Sequence, residues 1–229
     1  MDRQNKEHLQ RILSKELDAY FFDLDGTLID SSKDIAIAAN YALKKLGFEE
    51  LSEEEVIKHV GYGGENLIKN ILPVKNEKII KQGVKLFRQF YFSNPVVYTK
   101  LYDDILDILL HLKNSNKKLA VITNKYFDIS KQILEKLGIF DIFDVLIGGD
   151  SVKNKKPHPE SIIKAKEILS VKNPVMIGDS ETDINAGKKA GIKTILVEYG
   201  FGNLDIAKNA KPDFIVKTTK ELKELCIEN

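Results

Sequence analysis

Ala19-Tyr20-Phe21-Phe22-Asp23-Leu24-Asp25-Gly26-Thr27-Leu28 is the stretch on which the reading of this chain turns. From Ala19 to Leu24 it is apolar and aromatic without alternation, then breaks into an acidic glycine turn, which predicts a buried strand. Residues i and i+2 of a strand point the same way, so the carboxylates of Asp23 and Asp25 converge at its carboxyl end. Two carboxylates in one place repel unless a cation lies between them, and a hard divalent ion with oxygen ligands is the natural one. An isolated Asp-Gly pair is a common turn. The full six-residue string from Asp23 to Leu28 goes beyond that.

Working outward, further strands are predicted at 118–123, 144–147, 174–177, 193–197 and 213–216. Helical periods separate them: Ile105, Leu106, Leu109 and Leu112; Ile129, Ile133, Leu134 and Leu137, stopped at Gly138; and Ile162, Ile163, Lys166 and Leu169 after Pro159. Strand and helix alternate from about residue 100. Parallel neighbours need helix-length crossovers, so the expected fold is α/β, a Rossmann-like parallel sheet with helices on both faces.

Residues 31–97 break this rhythm with helical periods and no strand. One helix carries Ile35, Ala38, Ala39, Ala42, Leu43 and Leu46 and closes at Gly47; Ser52 with Glu55 reads as a capping box opening the next. Two more run through Leu67, Ile68, Ile71 and Leu72, then through Ile79, Ile80, Val84, Phe87 and Phe90. The expected division is an α/β core of 1–30 and 98–229 with an inserted all-helical domain at 31–97. Leu9, Ile12, Leu13 and Leu17 give residues 1–18 the period of an amphipathic leader helix.

Composition bounds the partners. The chain has 229 residues, 43% hydrophobic and 30% charged, which is ordinary for a globular protein of one core with an insertion. Its 35 basic and 34 acidic residues leave a net charge of +1, so no overall field favours nucleic acid or an anionic membrane. The single cysteine, Cys226, forms no intrachain disulfide, and the charged start has no apolar signal region. A cytoplasmic protein that binds any anion locally is expected; composition does not choose between monomer and homodimer.

Three more strings follow predicted strands. Ile122-Thr123-Asn124-Lys125 offers a hydroxyl, an amide and backbone N–H groups suited to phosphate oxygens, although alone such a pair is more often a helix cap. In Lys155-Lys156-Pro157-His158-Pro159-Glu160 the prolines hold a lysine at a loop mouth, where an ammonium can neutralise a nucleophile and the phosphoryl group it attacks; alone it is a solvated basic turn. Ile177-Gly178-Asp179-Ser180-Glu181-Thr182-Asp183 puts carboxylates at i and i+4, with Asp179 placed to share a metal and Asp183 one turn along a helix. All four strings fall at carboxyl ends of predicted strands, where open α/β sheets place ligands.

Taken together, Asp23-Leu24-Asp25-Gly26-Thr27, Thr123, Lys156 with Pro157, and Gly178-Asp179 with Asp183 resemble, in order, the four motifs of the haloacid dehalogenase-like hydrolase superfamily. The resemblance covers almost the whole chain from Tyr20. It implies that the helical insertion is the cap of the phosphoglycolate phosphatase-like branch, and Asp25 disfavours dehalogenation. It further implies Asp23 as nucleophile, Asp25 as acid and base, and Mg2+ held by the Asp23 and Asp179 side chains and the Asp25 carbonyl, with Asp183 behind. Thr123, Asn124 and Lys156 would grip phosphoryl oxygens. Gly61, Tyr62, Gly63 and Gly64 take the place of the family's specificity loop; the run Gly61 to Asn66 equally fits a helix-helix turn and contains no cation to clamp a carboxylate.

The implied reaction is hydrolysis of a small phosphate monoester through an aspartyl-phosphate. Mutases, pyrophosphatases and nucleotidases of the same superfamily, and a non-catalytic binding protein on the same scaffold, are the alternatives. Thr27 leans toward phosphatase, since mutases of the family commonly carry valine there. His8, His59 and His111 read as surface residues and His158 as loop filling, while Asp103, Asp104 and Asp150 read as turn or helix-start residues.

Overall fold

The computed structural model describes residues 17–227. Six strands form one parallel sheet: β1 (Ala19–Phe22), β4 (Lys118–Ile122), β5 (Val145–Ile147), β6 (Pro174–Gly178), β7 (Lys193–Val197) and β8 (Phe214–Val216), in the order β5-β4-β1-β6-β7-β8. Every expected strand is present, shifted by no more than two residues at an end. The chain builds outward from β1 through β4 to β5, then crosses back to β6 on the other side. This reversal beside β1 is the switch point where such sheets bind ligands.

The lack of alternation in the first strand now has its cause. Ala19 and Phe21 enter one apolar cluster, with Ile162 and Ala165 of the helix Glu160–Leu169. Tyr20 and Phe22 enter another, with Ile105, Ile108 and Leu109 of the helix Ile105–Asn114. A strand covered on both faces reads as a continuous apolar run.

Between β1 and β4 lie the helices α1 (Ser32–Lys45), α2 (Glu53–Ile57), α3 (Gly64–Ile71) and α4 (Glu77–Ser93). The helices α1 and α3 both pack on α4, with Tyr41 and Phe90 stacked at 4.4 Å between ring centroids. The box at α2 forms as expected: Glu55 N–H donates to Ser52 Oγ at 3.2 Å, and Ser52 N–H to Glu55 Oε2 at 2.9 Å. Gly47 and Gly138 end their helices with φ of +81° and +71°, the left-handed turn that glycine adopts without strain.

Sequence reading missed the joint of this helical segment. β2 (Ile29–Asp30) and β3 (Lys100–Leu101) pair antiparallel where the chain enters and leaves it. Beside them Asp34 Oδ2 accepts the N–H groups of Val97, Tyr98 and Thr99 at 2.8–2.9 Å and the Thr99 hydroxyl at 2.7 Å. Two residues per strand carry no periodicity.

The expected leader helix lies mostly outside the described residues, and its last two positions are not helical. Leu17 is buried, while Asp18 is fixed by the Lys172 and Asn173 N–H groups, which donate to its carboxylate at 2.6 and 3.0 Å. Among the described residues, no helix is long and apolar enough to cross a membrane.

Candidate active site

Each side chain of the site follows one of the three central strands, or answers one that does. Asp23 succeeds β1, its N–H donating to the Ile177 carbonyl at 2.9 Å and its Oδ1 accepting from Leu24 N–H at 2.8 Å. Thr123, Asn124 and Lys125 succeed β4, and Asp179 succeeds β6. Lys156 arrives from the loop before Glu160–Leu169. Its ammonium donates to the Ile122 carbonyl and Asp183 Oδ1, both at 2.6 Å, and stands 3.0 Å from Asp23 Oδ1.

Electrostatics make this arrangement costly by itself. Asp23, Asp179 and Asp183 are buried, with carboxylate oxygens within 4.8 Å of one another. Burial lifts the Asp23 carboxyl to about 7; Lys156 pulls against that, while Asp183 and Asp25 reinforce it. Burial likewise holds Asp179 well above the usual carboxylate range, with Asp183 and Asp23 adding to it. Lys156 stays above its ordinary value although burial opposes its charge, because Asp183 and Asp23 favour it. Three carboxylates facing one ammonium form a hard oxygen donor set with surplus negative charge, which fits a divalent cation.

The neighbourhood of Asp179 explains two glycines. Gly26 has φ of +77°, and a Cβ there would overlap the Asp179 carboxylate. Gly202 N–H and Phe201 N–H donate to Asp179 Oδ2 at 2.9 and 3.1 Å, and a Cβ on Gly202 would overlap the Asp179 carbonyl. Asp183 Oδ2 accepts from Ser180 N–H and Oγ at 3.1 and 2.7 Å, so this residue both caps its helix, Glu181–Lys189, and anchors Lys156.

The Asp25 carboxylate turns away from this cluster. Ser31 Oγ donates to its Oδ1 at 2.6 Å, and the buried Lys125 ammonium donates to both its oxygens at 2.7 Å. Lys125 had no role in the sequence reading. Its place in the second string was the only signal, and there it looked like part of a helix start.

A cavity of about 50 Å³ lies over Asp23, Asp25, Thr123 and Asp179, covered by Gly61, Gly63, Gly64 and the α4 side chains Phe87 and Tyr91. Two expected contributors, Asn124 and Tyr62, make other contacts here. Asn124, assigned to phosphoryl oxygens, spends its amide N–H groups on the carbonyls of Gly61 and Lys156 at 2.8 and 2.9 Å. It thus ties the glycine loop to the sheet edge. Tyr62 points out of the cavity, its hydroxyl donating to Glu181 Oε1 at 2.6 Å. Gly63, with φ of +88° and the Asn124 carbonyl 2.8 Å from where a Cβ would sit, lets the loop approach the sheet that closely. His158 lies outside the cavity and is half exposed. Asp150 accepts the N–H of Phe127 at 2.7 Å, and Asp104 pairs with Lys223 at 2.8 Å, both structural contacts.

This fold and site define a hydrolase: residues 20–197 match the family model of haloacid dehalogenase-like hydrolases, and the chain belongs to that family. Its relatives sharpen the placement. The phosphoglycolate phosphatase of Aquifex aeolicus is 42% identical over 206 residues, 89% of this chain and 94% of that protein. That of Vibrio cholerae is 36% identical over 210 residues, 88% and 93% of the two chains. Among solved structures, a predicted phosphoglycolate phosphatase from Haemophilus somnus superposes with a TM-score of 0.84 at 28% identity, covering 93% of this chain and 99% of the other.

Proposed function

We propose that the chain is a cytoplasmic, magnesium-dependent phosphatase of small phosphate monoesters, with phosphoglycolate the first substrate to test and Asp23 the nucleophile. The observation that carries this reading is Asp23 at the cavity floor, 3.0 Å from the Lys156 ammonium and inside the acidic cluster. The relatives' activity on phosphoglycolate makes that ester the starting point.

Asp23, Asp179 and the Asp25 carbonyl would hold the magnesium ion, with Asp183 behind them, and the ion would offset the charge of the phosphoryl oxygens. An Asp23 oxygen attacks phosphorus in line; the bond from phosphorus to the leaving oxygen breaks as Asp25 delivers a proton to that oxygen. Water then attacks the phosphorus of the aspartyl-phosphate, Asp25 takes its proton, and the Asp23 carboxylate is restored. Lys156 keeps the attacking oxygen in place and offsets the repulsion between that carboxylate and the phosphoryl oxygens it approaches. The Thr123 hydroxyl bonds a phosphoryl oxygen.

Residues 31–97 act as a cap that shuts water out and limits what can leave. The cavity beneath it has room for a few water-sized groups, which suits a short leaving group better than a sugar ring or a nucleoside.

The test is magnesium-dependent release of phosphate from an aryl phosphate and from phosphoglycolate. Asp23→Asn should lower turnover of both by about 10³-fold or more, and a chelator should abolish wild-type turnover until magnesium is restored. Near-native turnover by Asp23→Asn would remove it as nucleophile.

A further inference from the structure

The cavity has a second polar patch whose free bonding capacity the phosphoryl chemistry above does not use. Lys125 is 8% exposed, and two of its three ammonium N–H groups are engaged by the Asp25 oxygens. The ammonium lies 4.5 Å from the ring centroid of Tyr91, which α4 brings over from the other side of the cavity. Tyr91 is 1% exposed, and its hydroxyl proton, beside an ammonium that can only donate, meets no acceptor. A buried donor without an acceptor is costly, so an acceptor brought by the ligand would relieve it. The helix Gly64–Ile71 also starts at this cavity, with no side chain capping its N-terminus at Gly63.

An ammonium and backbone amides can only donate, and a phenolic hydroxyl can donate as well. A ligand group that answers all three is an anion with more than one oxygen. Lys125 already shares its charge with Asp25, whose carboxylate opposes a singly charged ligand group less than a doubly charged one. The loop from Gly61 to Asn66 carries no cation, and the fold supplies one from the far side of the cavity. We propose that Lys125 and Tyr91, beside the helix start at Gly64, form a second anion subsite that binds a carboxylate on the leaving group of a small phosphate ester. This rests on the phosphatase reading above.

Phosphoglycolate and ethyl phosphate make the test, since they differ in a carboxylate against a methyl group. A charge-assisted hydrogen bond contributes about 1.5–3 kcal/mol, so wild type should favour phosphoglycolate in kcat/KM by about 10- to 100-fold. In Lys125→Met that ratio should fall toward one, whatever happens to both rates together, and Lys125→Arg should recover part of it. Tyr91→Phe should lower the ratio by about 2- to 10-fold, chiefly through KM, and carries the test if the buried lysine proves necessary for folding. A Lys125→Met enzyme that slows both esters equally and keeps the wild-type ratio overturns the subsite, because Lys125 would then serve Asp25 alone. Faster wild-type hydrolysis of pyrophosphate than of phosphoglycolate overturns the carboxylate in favour of a second phosphoryl group. Equal wild-type rates on the two esters overturn the subsite and leave the phosphatase standing; no turnover of either overturns the phosphatase reading itself.

Discussion

The sheet edge and the helical segment over it hold their polar groups in opposite ways. At the edge the charges are buried and fully engaged: Lys156 gives its protons to a carbonyl and two carboxylates, and Asp183 is wholly buried. Across the cover, beside the part-buried bond from Asn124 to Gly61, the side-chain pairs are wet. Tyr62 is 44% exposed where it meets Glu181, and the Arg88 and Asp128 side chains, paired at 2.9 Å, are 43% and 41% exposed. Water competes for exposed pairs and leaves them little net strength, whereas buried ones are costly to break. A preorganised charge cluster under weakly tied helices suits the cap proposed above, in a site that must be accurate and still exchange its contents.

The edge depends most on Lys156. Replacing it by Met leaves Asp23 and Asp183 buried without their cation, and loss of one member of a buried ion pair costs about 3–5 kcal/mol. We expect a large fall in melting temperature together with at least ~10²-fold lower turnover. A well-folded, active Lys156→Met protein would show that the edge is not held by its charges.

Asp34 probes the joint between the two regions. Its buried carboxylate accepts four bonds from residues 97–99, and these hold its pKa below the ordinary value against the effect of burial. The folded value lies below the unfolded one, so the stabilisation is complete above the unfolded carboxylate range near 4 and fades as pH falls through the folded value. Asp34→Asn should lose about 2–3 kcal/mol at neutral pH, and its stability should fall less than wild type on acidification. Urea unfolding at several pH values measures both. Parallel pH curves for the two proteins would free Asp34 from any part in acid stability.

The smallest effect is expected at the cover. Tyr62→Phe removes one half-exposed hydrogen bond, worth about 1 kcal/mol or less. It should raise KM by about 2- to 5-fold and change kcat less, as steady-state kinetics on phosphoglycolate would show. A loss as large as that of Lys156→Met would mean that the cover is as rigid as the edge.

The strands were legible because each is a short apolar run ended by turn residues, and the helices of 32–93 because their apolar period is uninterrupted. The capping box at Ser52 and Glu55 was legible for the same reason: its partners are three residues apart. What was not legible depends on distance along the chain. The Asp34 clasp spans 63 to 65 residues and the Lys125 bond to Asp25 spans 100. Asn124 looked like a phosphate ligand because its amide could donate to one; only the approach of Gly61 and Lys156, 63 and 32 positions away, uses those donors otherwise.

Asp23 and Asp25 were therefore determined by sequence as a pair at the end of one strand, because backbone geometry alone puts i and i+2 on one side. Which neighbour each carboxylate answers was decided only by tertiary structure. The strand order sets β4 and β6 on either side of β1, bringing Lys125 to Asp25, while Lys156 and Asp179 meet at Asp23. Local sequence encodes conformation and periodicity; the partner of a buried charge is chosen by which strands the folded sheet makes neighbours.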